Sequence, residues 1–329
     1  MNLVTNIFSP DGVRMPTRDG FGKGVVEAGK QDQNVVVVCA DLAESTRAEW
    51  FKKEFPDRYV EIGVAEQNLA TVASGMAAVG KIPFVASYAA FNPGRNFEQI
   101  RTTIALNEMP VKVCGMHAGV SVGPDGATHQ MLEDIGLMRM LPHMVVVYPA
   151  DAEEARKATR AAAFNGKPTY LRFAREKTPV MTTAETPFEI GRAYTMWTGD
   201  APQVVLIGMG PLLYEALLAA RELEKEGISV SVINSHTVKP LDTETILGAV
   251  REAGAVVTIE EHQKAGGLGS AVSEFLSSVY PVPHEFVAVE DQFGQSGEPA
   301  ELLRHYKLDR VAIVDAVRRV ISRKHGTQG

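Results

Sequence analysis

The sequence predicts an α/β protein made of two doubly wound domains, each a mostly parallel sheet flanked by helices. Three observations lead there. Short apolar, β-branched runs alternate with helical stretches along nearly the whole chain. Those runs are apolar at consecutive positions, as strands buried on both faces must be. The alternation also breaks once, just past the middle, and then starts again. Strands alternating with helices imply a parallel sheet covered on both sides.

Taken in order, Thr17-Arg18-Asp19 opens a first helix, with Thr17 as its expected N-cap. The run NVVVVCA predicts a buried strand over 34–40, and further strands are expected at 82–87, 111–115, 144–148 and 169–173. Between them lie predicted helices at 67–79, 97–107, 130–140 and 151–164. The last follows Pro149-Ala150-Asp151 and carries Glu153 and Glu154 in its first turn, where the helix dipole favours carboxylates. From Arg175 to Gly191 the pattern stops. REKTPVMTTAETPFEIG holds two prolines and several threonines and reads as an interdomain linker. A second alternation follows, with strands at 204–208, 228–234, 255–260 and 285–289, and helices at 212–225, 243–253 and 268–278. Helices near 299–306 and 309–323 close the chain. The expected division is 1–182 and 183–329, with no internal repeat.

The 329 residues suit roughly two domains. Lys and Arg number 33 against 40 Asp and Glu, a net charge of −7 that argues against a general nucleic-acid binder. No run approaches the roughly 18 apolar residues of a membrane helix, and MNLVTNIFSPDGVR lacks a signal-peptide core. The two cysteines, Cys39 and Cys114, sit inside apolar runs, which excludes a disulfide scaffold and fits a reducing compartment. A cytoplasmic chain without membrane contact is therefore expected.

Polar clusters fall at predicted strand ends, where α/β proteins bind ligands. GMHAGVSVGPDGATHQ (115–130) follows a buried strand; its glycines permit sharp turns, and it offers His117, Asp125 and His129. It also reads as a long irregular connection, and two His with one Asp at irregular spacing make a poor metal site. EIGVAEQNL (61–69) places Glu66 in the first turn of a helix of small residues, where the helix dipole alone accounts for a carboxylate. Tyr88 and Phe91 stand at the end of another strand, placed either to stack on a planar ring or to cap the core. Asp41 and Ser45 follow the strand over 34–40. Arg18 and Arg175 are guanidiniums of the kind that grips phosphate, or solvated surface arginines. In the second half Gly208-Met209-Gly210 and Gly266-Gly267-Leu268-Gly269 leave the dinucleotide fingerprint incomplete. Glu260-Glu261-His262 has acid–base potential but reads more readily as structural or as part of an interface.

The combination ADLAEST, VEIGVAEQNLATVASGMAA, SYAAF with RNFEQIR, and HAGVSVGPDGATHQMLEDIGLMR resembles the transketolase family of thiamine-diphosphate enzymes. More closely it resembles the C-terminal half, which some organisms encode as a separate subunit. TIEEHQKAGGLGS and FGQSGEPAELL extend the likeness over nearly the whole chain. The resemblance implies a pyrimidine-binding domain over 1–182 and a transketolase C-terminal domain over 183–329. It implies that Glu66 hydrogen-bonds the cofactor's aminopyrimidine and moves its proton, that Tyr88 and Phe91 pack the pyrimidine, and that Asp41 lies on the thiazolium side. His129 and Asp125 correspond to residues contacting the donor's hydroxyls, and Arg18, Ser45, His117 and Arg175 to the group holding the sugar phosphate. The implied reaction moves a two-carbon ketol unit from a ketose phosphate to an aldose phosphate, within carbohydrate metabolism of the pentose-phosphate kind.

One departure stands out. The family holds the diphosphate through a divalent cation with a Gly-Asp-Gly motif and a later Asn. Here the nearest strings are Gly123-Pro124-Asp125-Gly126 and Gly199-Asp200-Ala201. No oxygen array for a hard cation is evident, so no metal ligand is assigned to this chain. Mg2+ or Ca2+ is expected on a separate N-terminal subunit, in an α2β2 assembly. Three alternatives remain: a 1-deoxyxylulose-phosphate-synthase-like half, the β subunit of a 2-oxoacid dehydrogenase's decarboxylating component, and a non-catalytic subunit of the same fold. Thr128-His129 and the arginines weigh against the second, and intact Glu66, Asp125 and His129 against the last.

Overall fold

In the computed structural model, which describes residues 3–326, the first half is built on a seven-stranded sheet. Its order is Thr237–Lys239, Val145–Val147, Thr169–Arg172, Lys112–Met116, Ile82–Tyr88, Val35–Cys39 and Tyr59–Glu61. Every pairing is parallel except that of Thr237–Lys239, which runs antiparallel to Val145–Val147. The central strands are buried along their length, because helices cover both faces. Register does the positioning. Cys39 pairs with Ala86, and Tyr88 with Met116, so the carboxyl ends of three neighbouring strands deliver Asp41, Tyr88 and His117 to one edge.

The second half carries a five-stranded sheet in the order His284–Val289, Val256–Gln263, Val204–Gly208, Val230–Asn234 and Tyr194–Thr198, the last antiparallel. The α/β architecture of two mostly parallel sheets flanked by helices therefore stands as read from the sequence. The halves are stitched together, however, since Thr237–Lys239 comes from the second and completes the sheet of the first.

Several local expectations need correction. Thr17 is the first helical residue rather than the cap. Pro16 takes the N-cap position without a side-chain bond, while Thr17 Oγ1 accepts the Ala174 N–H at 2.7 Å. The helix expected over 97–107 starts as Phe97–Gln99 and then widens into a π-helix over Ile100–Ala105. The helix expected from 130 starts only at Asp134. The linker contributes a short strand, Thr178–Pro179, paired with Arg14–Met15. Asp151 does cap its helix, accepting the Glu154 N–H at 2.8 Å. Both cysteines are buried and free, and no helix among the described residues is long and apolar enough to cross a membrane.

The helix Thr17–Gln31 reaches the site through close packing on Ala152–Ala163. A Cβ on Gly20 would run into the Ala152 carbonyl oxygen, and one on Gly24 would lie 2.6 Å from that of Arg156. Alanine normally gains about 1 kcal/mol over glycine in a helix interior. Here the backbone clash outweighs that gain. Gly20→Ala is expected to destabilise the chain by about 1–3 kcal/mol, read as a lower thermal unfolding midpoint.

Candidate active site

The strand ends bring four rings into contact. Tyr88 stacks on Phe91 with centroids 6.3 Å apart and 21° between planes, and lies 4.1 Å from the His117 ring. His129 meets Phe91 edge-on at 5.3 Å and Tyr88 at 6.1 Å. Residues separated by up to 41 positions thus form one aromatic wall at the sheet's carboxyl edge.

Glu66 begins the helix Glu66–Ala78 and is 1 % exposed. Its Oε2 accepts Arg95 Nη1–H at 2.8 Å, while Oε1 receives only a long 3.4 Å contact from the Ser87 hydroxyl. Arg95 in turn lies over the Phe91 ring, 4.9 Å from its centroid, so the carboxylate is tied to the aromatic wall. Asn96 Nδ2 donates to the Glu66 carbonyl and to Asn92 Oδ1, and Asn92 Nδ2 donates to Val85 and Cys114 carbonyls. These amides lock the turn that the sequence marks with Asn92-Pro93-Gly94. The sequence assigns no role to Arg95 or Asn96, though both lie in RNFEQIR, and marks Asn92 only as part of a turn. An arginine after Pro-Gly looks like a surface residue, and only the fold brings it to a glutamate 29 positions away.

A cationic cluster gathers around His117, itself part of the ring wall. Arg18 Nη1 donates to the Ser45 carbonyl at 2.8 Å and to His117 Nε2 at 3.1 Å. Arg18 has only donors, so His117 Nε2 must accept and its proton must sit on Nδ1. That Nδ1 is buried with no partner, as is Arg18 Nε. Burial, reinforced by Arg18, Arg175 and Arg47, pushes His117 down to about 2, so it stays neutral. Arg175 Nη1 donates to the Val122 carbonyl at 2.7 Å. Arg47, another residue the sequence reading passed over, is held by Asp19 at 2.7 Å. The backbone is strained here as well. Asp41, Arg47 and His117 have φ of 56°, 68° and 56°, the left-handed region that side chains other than glycine seldom enter.

The remaining candidates are less engaged. Asp41 is exposed, its turn fixed by Glu61, which accepts the Asp41 and Gly63 N–H groups at 2.7 and 2.9 Å. Burial would raise the Glu61 carboxyl, but the Tyr59 hydroxyl and these N–H groups hold it below its ordinary value. Ser45 contributes its carbonyl to Arg18. Asp125 is exposed near the tip of the 117–130 loop. His129 Nδ1 is 2.9 Å from the Thr128 hydroxyl. Among the described residues no group of three or more His, Cys, Asp or Glu side chains could hold a metal ion. Concave regions of about 920 and 710 Å³ are lined mostly by the second half, with Glu133 of the first beside the larger one, and none of the site residues lines either. The candidate site is an open wall, a pairing of buried carboxylate and rings with cations alongside.

Comparisons with known proteins agree on the family. Residues 13–181 match the pyrimidine binding domain of transketolase, and residues 194–313 match the transketolase C-terminal domain. A protein of Methanocaldococcus jannaschii named for a transketolase C-terminal section is 39% identical over 309 residues, spanning 93% of this chain and 96% of that one. Human transketolase is 36% identical over 314 residues, covering 95% of this chain but 50% of the human protein. Among solved structures, one described as a split-gene transketolase, inactive β4 tetramer, superposes with a TM-score of 0.88 at 42% identity. The match spans 94% of this chain and 99% of that one. The chain spans half the length of the one-chain relative and nearly all of the two short ones. With both domains matched in order and relatives of this likeness along its length, the chain belongs to the transketolase family, as its C-terminal section.

Proposed function

We propose that this chain is the C-terminal subunit of a split transketolase. It works with a separate N-terminal subunit to move a two-carbon ketol unit from a ketose phosphate to an aldose phosphate. The carrying observation is the buried Glu66 carboxylate beside the Tyr88–Phe91 ring pair, with one oxygen short of a donor. A buried carboxylate oxygen seeks a strong donor. An aminopyrimidine ring offers a nitrogen that shares a proton with a carboxyl, and flat faces that suit two stacked rings. These residues therefore fit thiamine diphosphate, on which the family depends.

When bound, that cofactor supplies a nucleophilic carbon and the electron sink for breaking the donor's C2–C3 bond. The chain's own residues do the rest. Glu66 holds and releases a proton at Oε1, a transfer strengthened by the dry surroundings. Asp41, exposed just after the strand Val35–Cys39, is assigned to the thiazolium side. His129, within hydrogen-bond distance of Thr128, contacts the donor's hydroxyls and shuttles a proton, and Asp125 contacts a further hydroxyl. Arg18 and Arg175 grip the phosphate, and the unpartnered Nδ1–H of His117 and Nε–H of Arg18 gain an acceptor from it. Neutral His117 donates there without adding a fourth charge. Diphosphate and cation, Mg2+ or Ca2+, are assigned to the partner subunit, in an α2β2 complex that completes the open wall.

The description of the split-gene neighbour as an inactive β4 tetramer supports this division of labour. The test is reconstitution. The purified chain with thiamine diphosphate and Mg2+ is expected to transfer no ketol units, and adding an N-terminal subunit that carries Gly-Asp-Gly is expected to restore transfer. Turnover by the chain alone would overturn the half-site reading.

A further inference from the structure

The loop from His117 to His129 carries three of the candidate site residues, yet few bonds of its own define it. Gly119, Gly123 and Gly126 have φ of 93°, 84° and 75°, and internal hydrogen bonds are limited to short turns such as His129 N–H to the Gly126 carbonyl at 3.0 Å. Its shape is imposed from outside, by both halves of the chain. In the first half, Arg175 Nη1 holds the Val122 carbonyl, and the Phe173 and Met131 carbonyls accept the Ala118 and Gly119 N–H groups. The second half holds it as well. Glu261, at the carboxyl end of the strand Val256–Gln263, is 2 % exposed and accepts the Ser121 N–H at 2.6 Å. A Cβ on Gly119 would strike that carboxylate, so glycine is what lets the loop lie against it. Gln130 Nε2 donates its two hydrogens to the Gly123 carbonyl within the loop and the Gln295 carbonyl outside it, both at 2.9 Å, with the Val120 carbonyl sharing one of them at 3.2 Å. Gly123 abuts Pro299, and Gly126 lies against the Ser296 hydroxyl. Val120 packs into the core of the second half with Leu302.

We propose that the second half of the chain shapes the substrate side of the site by clamping this loop, with Glu261 as the positioning residue. Ser121 stands midway between His117 and Asp125, so a carboxylate that fixes its N–H fixes the arc presenting both. The clamp has two jaws, the Glu261 carboxylate and the Gln295–Pro299 segment. The carboxylate suits this task because it is an acceptor that cannot turn into a competing donor while ionised. Arg172 Nη2 donates to the Glu261 carbonyl at 2.9 Å, which anchors the jaw itself. The inference rests on the proposed ketol transfer only for its effect on the substrate. The clamping can be read on the chain alone.

Two measurements test it. On the purified chain, Glu261→Leu is expected to raise backbone hydrogen exchange across 119–130 by about tenfold or more, the size of one lost charge-assisted bond. The strands Lys112–Met116 and Val145–Val147 should keep their protection, and Glu261→Gln, which keeps an acceptor oxygen, should restore that of the loop. In the reconstituted complex, Glu261→Leu is expected to raise the KM for the ketose phosphate at least about tenfold, more than it lowers kcat, with Glu261→Gln near the parent. Unchanged loop exchange in Glu261→Leu overturns the clamp. Looser exchange with an unaltered KM overturns the positioning role. If the parent complex moves no ketol unit, the functional proposal fails while the exchange result still decides the clamp. Should Glu261→Leu not fold, Leu302→Ala, which trims the second half's packing against Val120 and leaves every Gln130 bond in place, carries the same two readings.

Discussion

Glu66→Gln in the reconstituted complex is expected to abolish exchange of the cofactor's thiazolium proton with deuterium while leaving assembly intact. The glutamine has nearly the same volume and keeps a carbonyl oxygen for Arg95 Nη1, so the helix start and the ring wall should survive. It cannot hold and release a proton as a carboxyl does. Loss of a positioned acid–base group costs about 10²–10⁴ in rate. The effect should reach the upper end, because Glu66 is almost fully buried. Exchange followed by proton magnetic resonance, alongside size-exclusion chromatography of the complex, reads both halves of the expectation. Exchange at the parent rate would remove Glu66 from the chemistry.

Arg172→Met is expected to produce the largest loss of stability. Arg172 and Asp134 are both fully buried and pair at 2.7 Å, with the Tyr170 hydroxyl on the same Asp134 oxygen at 2.6 Å. The guanidinium also lies 4.5 Å from the centre of the Tyr148 ring and donates to the Met131 and Glu261 carbonyls. Removing one ion of such a pair strands the other in a medium that cannot solvate it, at a cost of about 3–5 kcal/mol. The loss should appear as a lower denaturant midpoint. Arg172→Met with Asp134→Leu should recover much of it, because the cost lies in the uncompensated charge rather than in the missing attraction. If the double variant is no better than the single one, packing around Arg172 rather than charge is the cause.

The chain's two-sheet plan was legible because a strand buried on both faces leaves a continuous apolar run, as in Val35–Cys39. What periodicity lacks is an address. Thr237–Lys239 is a short polar-ended run, and nothing in it says that it pairs with Val147, some 90 residues earlier. The expected helix over 97–107 has a helical spacing, but spacing does not distinguish α from the π turns of Ile100–Ala105. The candidate site divides the same way. Glu66, Tyr88 and the 117–130 loop stand out because each directly follows a strand or opens a helix. Arg95 and Arg47 do not, and Glu261 stands out only as part of a structural triplet, since their meaning lies in partners 29, 28 and 140 positions away.

The antiparallel stitch of Thr237–Lys239 onto Val145–Val147 also constrains how the chain is made. During synthesis the first sheet can gather six of its strands early, but its outer rim stays bare until residue 239 has left the ribosome. A bare rim offers unpaired N–H and C=O groups to any other nascent strand. Cutting the chain at 182 would make that interval permanent. A fragment ending there would keep an unpaired strand edge that Thr237–Lys239 otherwise covers.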